Sequence, residues 1–189
     1  RRASDASKQL GIGVSAYVEV TAPAGLHIEY GAVEINDDGS VTAKVGTSAH
    51  GQGHITAFSM IISEMLGIEM DKIVILQSDS DQIPRGQGTM GSRSLQTAGS
   101  AIHVASETVL DKAKKLAAHL LEASTEDITV GGGGLHVAGV PANALSWAEL
   151  VSAANDDSQR PEAMDSGLAH ELDFDGTDST FPFGAHIAV

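Results

Sequence analysis

No cysteine occurs among the 189 residues. Its absence excludes disulfides, thiolate zinc sites, a cysteine nucleophile and an iron–sulfur cluster on this chain. Basic residues are also few. Lys+Arg 11 against Asp+Glu 25 gives a net charge of −14 and a pI near 4.7. So acidic a surface repels phosphate overall and offers nucleic acid no broad footprint. Aromatics are limited to four Phe, two Tyr and one Trp. No apolar run approaches the ~20 residues needed to span a bilayer. The basic, polar opening RRASDASKQL is followed by no signal-like apolar core. The eight histidines form no His-Glu-x-x-His pattern and no i,i+4 pair on one helix face, so they read as surface or core residues rather than metal ligands. A Gly-x-Ser-x-Gly nucleophile motif and a Walker A lysine are likewise missing.

Glycine, by contrast, is plentiful at 21 residues of 189, against a usual ~7%. With 42% hydrophobic and 19% charged residues and a mean hydropathy of +0.01, the chain reads as globular. It opens without Met and stops inside a strand-like run, 185–189, as a piece of a longer polypeptide would. Alternating apolar residues predict strands over 11–21, 27–35 and 41–45, the last two joined across Asn36-Asp37-Asp38-Gly39-Ser40, a hairpin signal. Ile55, Phe58, Ile61, Ile62, Met65 and Leu66 keep helical spacing up to Gly67, a natural stop. A buried strand is expected over 72–77 and a long helix over 95–122. A short hairpin should follow over 128–138, and Ser146-Trp147-Ala148-Glu149 is a capping box opening a short helix. Strands near 169–174 and 183–189 close the chain. Helices and strands mix without strict βαβ alternation, so the fold class expected is α+β, a mixed sheet packed with helices.

Two glycine-containing loops that run into helices carry the chemistry. In Gly51-Gln52-Gly53-His54 the glycines permit close backbone approach. Gln52 offers both an amide donor and a carbonyl acceptor, which suits a heterocycle edge. Read alone, this stretch is explained at least as well by a tight turn. In the second loop, residues 84–94, glycines 86, 88 and 91 stand beside the hydroxyls of Thr89, Ser92 and Ser94. Backbone N–H groups and hydroxyls of this kind surround phosphate oxygens without a large local charge. Arg85 and Arg93, two of only eleven basic residues, fall in the same loop. Arg93 is expected either to neutralise a phosphate or to tie the loop internally. Two such loops about 35 residues apart point to an anionic, heterocyclic cofactor. Asp79 and Asp81 alternate as calcium ligands can, but the EF-hand glycine and closing glutamate are missing, and a cap or solvated turn is the better reading.

At these loops the sequence resembles the molybdenum-binding large subunit of the xanthine dehydrogenase, aldehyde oxidase and aerobic carbon monoxide dehydrogenase family. Bacterial carbon-monoxide-dehydrogenase-like members are nearest in pattern. The resemblance is carried by Gly51-Gln52-Gly53-His54-Ile55-Thr56-Ala57-Phe58, Leu66-Gly67-Ile68, Asp79-Ser80-Asp81, Pro84 and Gly88-Thr89-Met90-Gly91-Ser92-Arg93-Ser94. Gly11-Ile12-Gly13 and Phe181-Pro182-Phe183-Gly184 fit as well. Ile55 stands where an acidic residue is common, and Ser78 replaces a usual glycine.

The resemblance implies a two-layer fold like the molybdenum-cofactor-binding domain, extending over 1–189. A polar lead-in (1–10) precedes a lobe with both loops (11–124), and a hairpin, short helix and closing strands (125–189) follow. It implies molybdenum–molybdopterin, in its cytosine dinucleotide form, held by Gly51, Gln52, Gly53, Thr89, Gly91, Ser92 and Ser94, with Arg93 as the added basic candidate. The metal is held by the cofactor's own sulfurs, so no metal ligand is expected on the chain. The implied parent is a cytoplasmic molybdenum hydroxylase that oxidises CO, an aldehyde or an N-heterocycle with water. It would pass electrons to an Fe–S small subunit and an FAD medium subunit in a dimer of heterotrimers. The family's catalytic glutamate lies downstream of Val189 and its substrate-selecting loop upstream of Arg1, so no catalytic residue is assigned and this piece alone is expected to be inactive. Two other readings stand beside this one: a non-catalytic scaffold of the same family, and a nucleotide-binding module without molybdenum.

Overall fold

A computed structural model describes residues 10–189; the lead-in, apart from Leu10, lies outside the described residues. In chain order the strands and helices are β1 (Gly13–Val18), β2 (Ile28–Ile35), β3 (Val41–Val45), α1 (His54–Leu66), β4 (Ile73–Leu76), α2 (Ser100–Leu120), β5 (Ile128–Gly131), β6 (Gly134–Val137), β7 (Leu145–Ser146), α3 (Trp147–Asn155), β8 (Ala169–Asp175) and β9 (Phe183–Ala188). The central sheet has the order β4-β3-β2-β8. β2 is antiparallel to both β3 and β8, while β3 and β4 run parallel because α1 carries the chain across between them. The expected α+β class, a mixed sheet with helices packed on it, is the one observed.

The hairpin at 36–40 closes as its composition predicts. Asn36 N–H donates to the Ser40 carbonyl (2.8 Å), Gly39 N–H to the Asn36 carbonyl (2.8 Å), and Gly39 takes φ 82°. α1 stops at Gly67, whose left-handed conformation lets its N–H reach the Ser63 carbonyl at 2.9 Å. Period-2 alternation turns Val33, Ile35, Val41, Ala43 and Val45 to one face of the sheet. There they meet Phe58, Ile62 and Leu66 of α1 and Ile102, Ala105 and Val109 of α2, all buried. Gly31 on β2 lets α2 approach closely, since a Cβ there would lie 2.6 Å from that of Ala101. Trp147 anchors α3 to this core by donating its indole N–H to the Leu66 carbonyl at 3.0 Å.

The structure differs from the sequence reading in three places. The expected helix over 95–122 begins as a single π-helical turn, Leu95–Gly99, before α2 proper. β7 is two residues long and completes a three-stranded sheet, β5-β6-β7, too short to leave a period in the sequence. The first and last strands do not join the central sheet. β1 and β9 pair with each other in a separate antiparallel ribbon. The pairing of β8 with β2 and of β9 with β1 also means that the 125–189 part closes onto sheet elements of the 11–124 part.

Candidate cofactor site

The two loops meet above the end of β3. The first leaves β3 through Gly46, Thr47 and Ser48, and the second crosses Gly46 at Gly86. A Cβ on Gly46 would lie 2.5 Å from Gly86 Cα and 2.8 Å from the Arg85 carbonyl oxygen, so only glycine fits. Thr89 then links the loops. Its Oγ1 accepts from the backbone N–H of Ser48 (2.8 Å) and from the Ser94 hydroxyl (3.1 Å).

Between the loops lies a cavity of about 500 Å³ whose lining includes His50, Gln52, His54, Thr89, Ser92 and Ser94 together with the apolar Phe58, Met90 and Leu95. The helix α1 opens on it. Its N-cap, Gly53, is left-handed (φ 80°) and no side chain caps the first turn, so the positive end of a 13-residue helix faces the cavity from the first loop. No carboxylate belongs to the lining. Four other clefts on the surface each carry at least two: Glu34 and Glu171 in one, Asp38 and Glu69 in another, and Asp37 in the remaining pair, with Asp38 or Asp156. In a chain of net charge −14, a lining without carboxylates lessens the repulsion that an anion meets there.

The structure thus brings Gln52, Thr89, Gly91, Ser92 and Ser94 to one cavity. Gly51 and Gly53 flank Gln52 with φ of 105° and 80°, and a Cβ on either would meet nothing within 4 Å. Their positive φ favours glycine, and no protein atom crowds the place of either side chain. Gln52 Oε1 accepts from His50 N–H at 2.5 Å, which fixes its side chain. The Ser92 hydroxyl donates to Glu19 at 2.7 Å, and Ser92 itself is left-handed at φ 51°.

Arg93 is the correction. Its guanidinium is wholly buried and turned away from the cavity, paired with the equally buried Glu29. Its Nε donates to the Leu26 carbonyl at 2.9 Å, and its Nη atoms to the carbonyls of Ile28 and Gly88. Of the two roles expected for it, the internal tie is the one observed, because every nitrogen is spent on the protein. Arg85 is likewise engaged, lying over the Tyr30 ring and bridging to Asp173 at 2.7 Å. Asp79 caps a turn, accepting from Asp81 N–H and the Gln82 amide, and the Gln82 bond holds its carboxyl below the usual range.

His54 is the cavity residue that sequence reasoning passed over, grouped there with seven other scattered histidines. It is 5% exposed, and its Nε2 is buried without a hydrogen-bond partner. Ala49 N–H donates to Gln77 Oε1 (3.1 Å), which fixes that amide, so His54 Nδ1 at 3.3 Å donates to the same oxygen and Nε2 is left as an acceptor in the neutral ring. The available signal was its place as the first helical residue after a Gly-Gln-Gly loop.

Comparison with known proteins decides the family. The whole of residues 1–189 matches the model of the molybdopterin cofactor-binding domain. The chain belongs to that family. The molybdopterin cofactor-binding chain is 34% identical over 189 residues to the carbon monoxide dehydrogenase large chain of Afipia carboxidovorans, covering 95% of this chain and 23% of the relative. It is 33% identical over 178 residues to the 6-hydroxypseudooxynicotine dehydrogenase complex subunit gamma of Paenarthrobacter nicotinovorans, covering 94% and 22%. Among solved structures it superposes on quinoline 2-oxidoreductase from Pseudomonas putida 86 with a TM-score of 0.83 at 32% identity, over 94% of this chain and 24% of that one. CO dehydrogenase from Oligotropha carboxidovorans gives 0.83 at 34% identity, over 94% and 23%. The molybdopterin cofactor-binding chain thus spans less than a quarter of the length of the curated relatives it matches. Among its described residues, no helix is long and apolar enough to cross a membrane.

Proposed function

We propose that this chain is the molybdopterin-holding part of the large subunit of a molybdenum hydroxylase, which oxidises CO, an aldehyde or an N-heterocycle with water as the oxygen source. The observation that carries the proposal is the carboxylate-free cavity where the two loops meet, with hydroxyls on one wall and an uncapped helix N-terminus on the other. The donor set fits the cofactor. A pterin dinucleotide combines a heterocycle edge with phosphates. The Gln52 amide, the Thr89 hydroxyl, whose proton the Ser94 bond leaves free, and the loop N–H groups supply neutral donors for both, while Phe58, Met90 and Leu95 supply apolar surface. The buried, unpartnered Nε2 of His54 gives a cofactor donor an acceptor to satisfy. When bound, the group supplies the redox chemistry and the site at which oxygen is transferred. The chain's own residues bind and orient it: Gly51, Gln52 and Gly53 on one side, and Thr89, Gly91, Ser92 and Ser94 on the other.

The finer parts of the reading are that the cofactor is the cytosine dinucleotide form and that electrons leave through an Fe–S small subunit and an FAD medium subunit, in a cytoplasmic dimer of heterotrimers. Relatives that are named as a large chain, a large subunit and a complex subunit gamma support such an assembly. The test is molybdenum and pterin content of the enzyme purified from its native host, by elemental analysis and fluorescence of the oxidised pterin. Near-stoichiometric amounts of both are expected. A folded enzyme carrying neither would replace this reading with the scaffold or nucleotide-module alternative.

A further inference from the structure

Glu29 is an acidic residue on the inward face of β2, in line with Gly31, Val33 and Ile35, and it is 1% exposed. Its two oxygens are divided between the ends of the second loop. One accepts from the guanidinium of Arg93, where the loop enters the helix. The other accepts from the backbone N–H of Gln87 (3.4 Å), where the loop begins, and from that of Tyr30 (3.0 Å). Arg93 reaches the Gly88 carbonyl from the same buried position. The first loop is held there as well. A Cβ on Gly46 would collide with Glu29 Oε1, so the carboxylate lies directly beneath the point at which Gly86 crosses Gly46. One buried carboxylate therefore contacts both loops at their crossing and is not part of the cavity's lining.

We propose that Glu29, acting through Arg93, is a positioning residue of the cofactor cradle. The pair sets the height and tilt of residues 87–94 over β2, and so the distance across which Thr89, Ser92 and Ser94 face Gln52 and His54. This proposal rests on the molybdopterin reading above. Its physical reason is that a loop with glycines at 86, 88 and 91 has few side chains to fix its path at the crossing. A buried, directional ion pair supplies that geometry where an apolar contact would let the loop slide.

The test uses the complete enzyme from its native host in three forms: wild type, Glu29→Asp, and the double variant Glu29→Leu/Arg93→Met. Glu29→Asp keeps both charges and shortens the reach by one methylene. The double variant removes both charges together, a replacement that buried pairs commonly tolerate in stability. Melting midpoint, molybdenum and pterin content and the rate of pterin release from folded enzyme are read together. The expected result is folded protein in both variants with release accelerated roughly tenfold or more, the range seen when groups that orient a binding shell are altered. If the double variant does not accumulate as folded enzyme, Glu29→Asp decides alone. Wild-type release from Glu29→Asp, or faster release only in step with a fall in melting midpoint, overturns the positioning role. A wild-type enzyme without molybdenum or pterin instead overturns the cofactor reading beneath it.

Discussion

Arg93 and Tyr30 are both surrounded by charge, with opposite consequences. Arg93 and Glu29 are removed from water altogether, so each depends on the other for solvation. Arg93→Ala would leave a buried carboxylate unpaired and the carbonyls of Leu26, Ile28 and Gly88 without their donor. The expected cost is about 3–5 kcal/mol of folding stability, as for other broken buried pairs. A denaturant titration measures it; a loss no larger than that of an exposed pair would show the guanidinium to be solvated. Tyr30 keeps its proton instead. Burial, and then the Glu171 carboxylate that accepts from its hydroxyl at 2.8 Å, push its pKa up to about 12, while the nearby Arg85 pulls weakly the other way. Because the folded value exceeds the unfolded one near 10, the stability held by the neutral phenol is complete below pH 10. It is lost as the pH rises toward 12. In a Tyr17→Phe background the remaining phenol should titrate by ultraviolet absorbance near 12, and Glu171→Gln should lower that midpoint. A phenol already ionised near 10 in the folded protein would disprove the assignment.

Among the elements, α3 is the one whose start is written most plainly. Ser146 Oγ accepts from Glu149 N–H, and the Glu149 carboxylate accepts from Ser146 N–H at 2.8 Å. The hydroxyl contact and the backbone bond hold that carboxyl below its usual range. Ser146→Ala should cost about 1 kcal/mol, read by the fluorescence of Trp147, the first residue of the helix and the chain's sole tryptophan. The Glu149 share is present above the ordinary glutamate range and fades as acid carries the pH down through the lowered folded value. An acid melting curve unchanged by Glu149→Gln would show that the carboxylate's charge contributes nothing to the cap. Signals of this local kind made much of the fold legible: the 36–40 turn, Gly67 ending α1, the capping box, and both glycine-containing loops at helix starts. What stayed hidden depends on partners distant in sequence. Period-2 alternation finds β2 and β8 but not that they pair. The same alternation puts Glu29 on the apolar face of β2, which marks a buried carboxylate, yet nothing local says that its counter-ion lies 64 residues away. For that reason the sequence leaves Arg93 open between neutralising a phosphate and tying the loop internally. His54 was missed because a histidine's partners, or the lack of them, are a property of the folded interior.

At the scale of the molecule, one surface stands apart from the compact core. In the β1–β9 ribbon, Val14 pairs with Ile187, Ala16 with Ala185 and Val18 with Phe183, so a single face is apolar from end to end. The other face carries Tyr17 stacked on His186. All four large side chains of the apolar face are exposed, Phe183 to 85%. A two-stranded ribbon is marginal in water by itself, and this one is fastened at its base by Glu19 N–H to the Pro182 carbonyl and Thr21 N–H to that of Thr180, both 2.9 Å. Covering the four side chains is worth about 1.5–3 kcal/mol each, against about 4–15 kcal/mol for the freedom lost when two molecules associate. These 189 residues, prepared alone, should therefore self-associate weakly and in proportion to concentration. Replacing the facing pair by Val18→Lys and Phe183→Glu keeps a favourable cross-strand contact while removing the apolar surface. The double variant should sediment as a monomer at concentrations where the wild type does not, with the melting of the Trp147 core unchanged. A wild-type chain that stays monomeric over the whole concentration range would show that the ribbon folds its apolar face away in solution. A drop in core melting in the variant would instead make the ribbon part of the folding unit rather than a surface carried beside it.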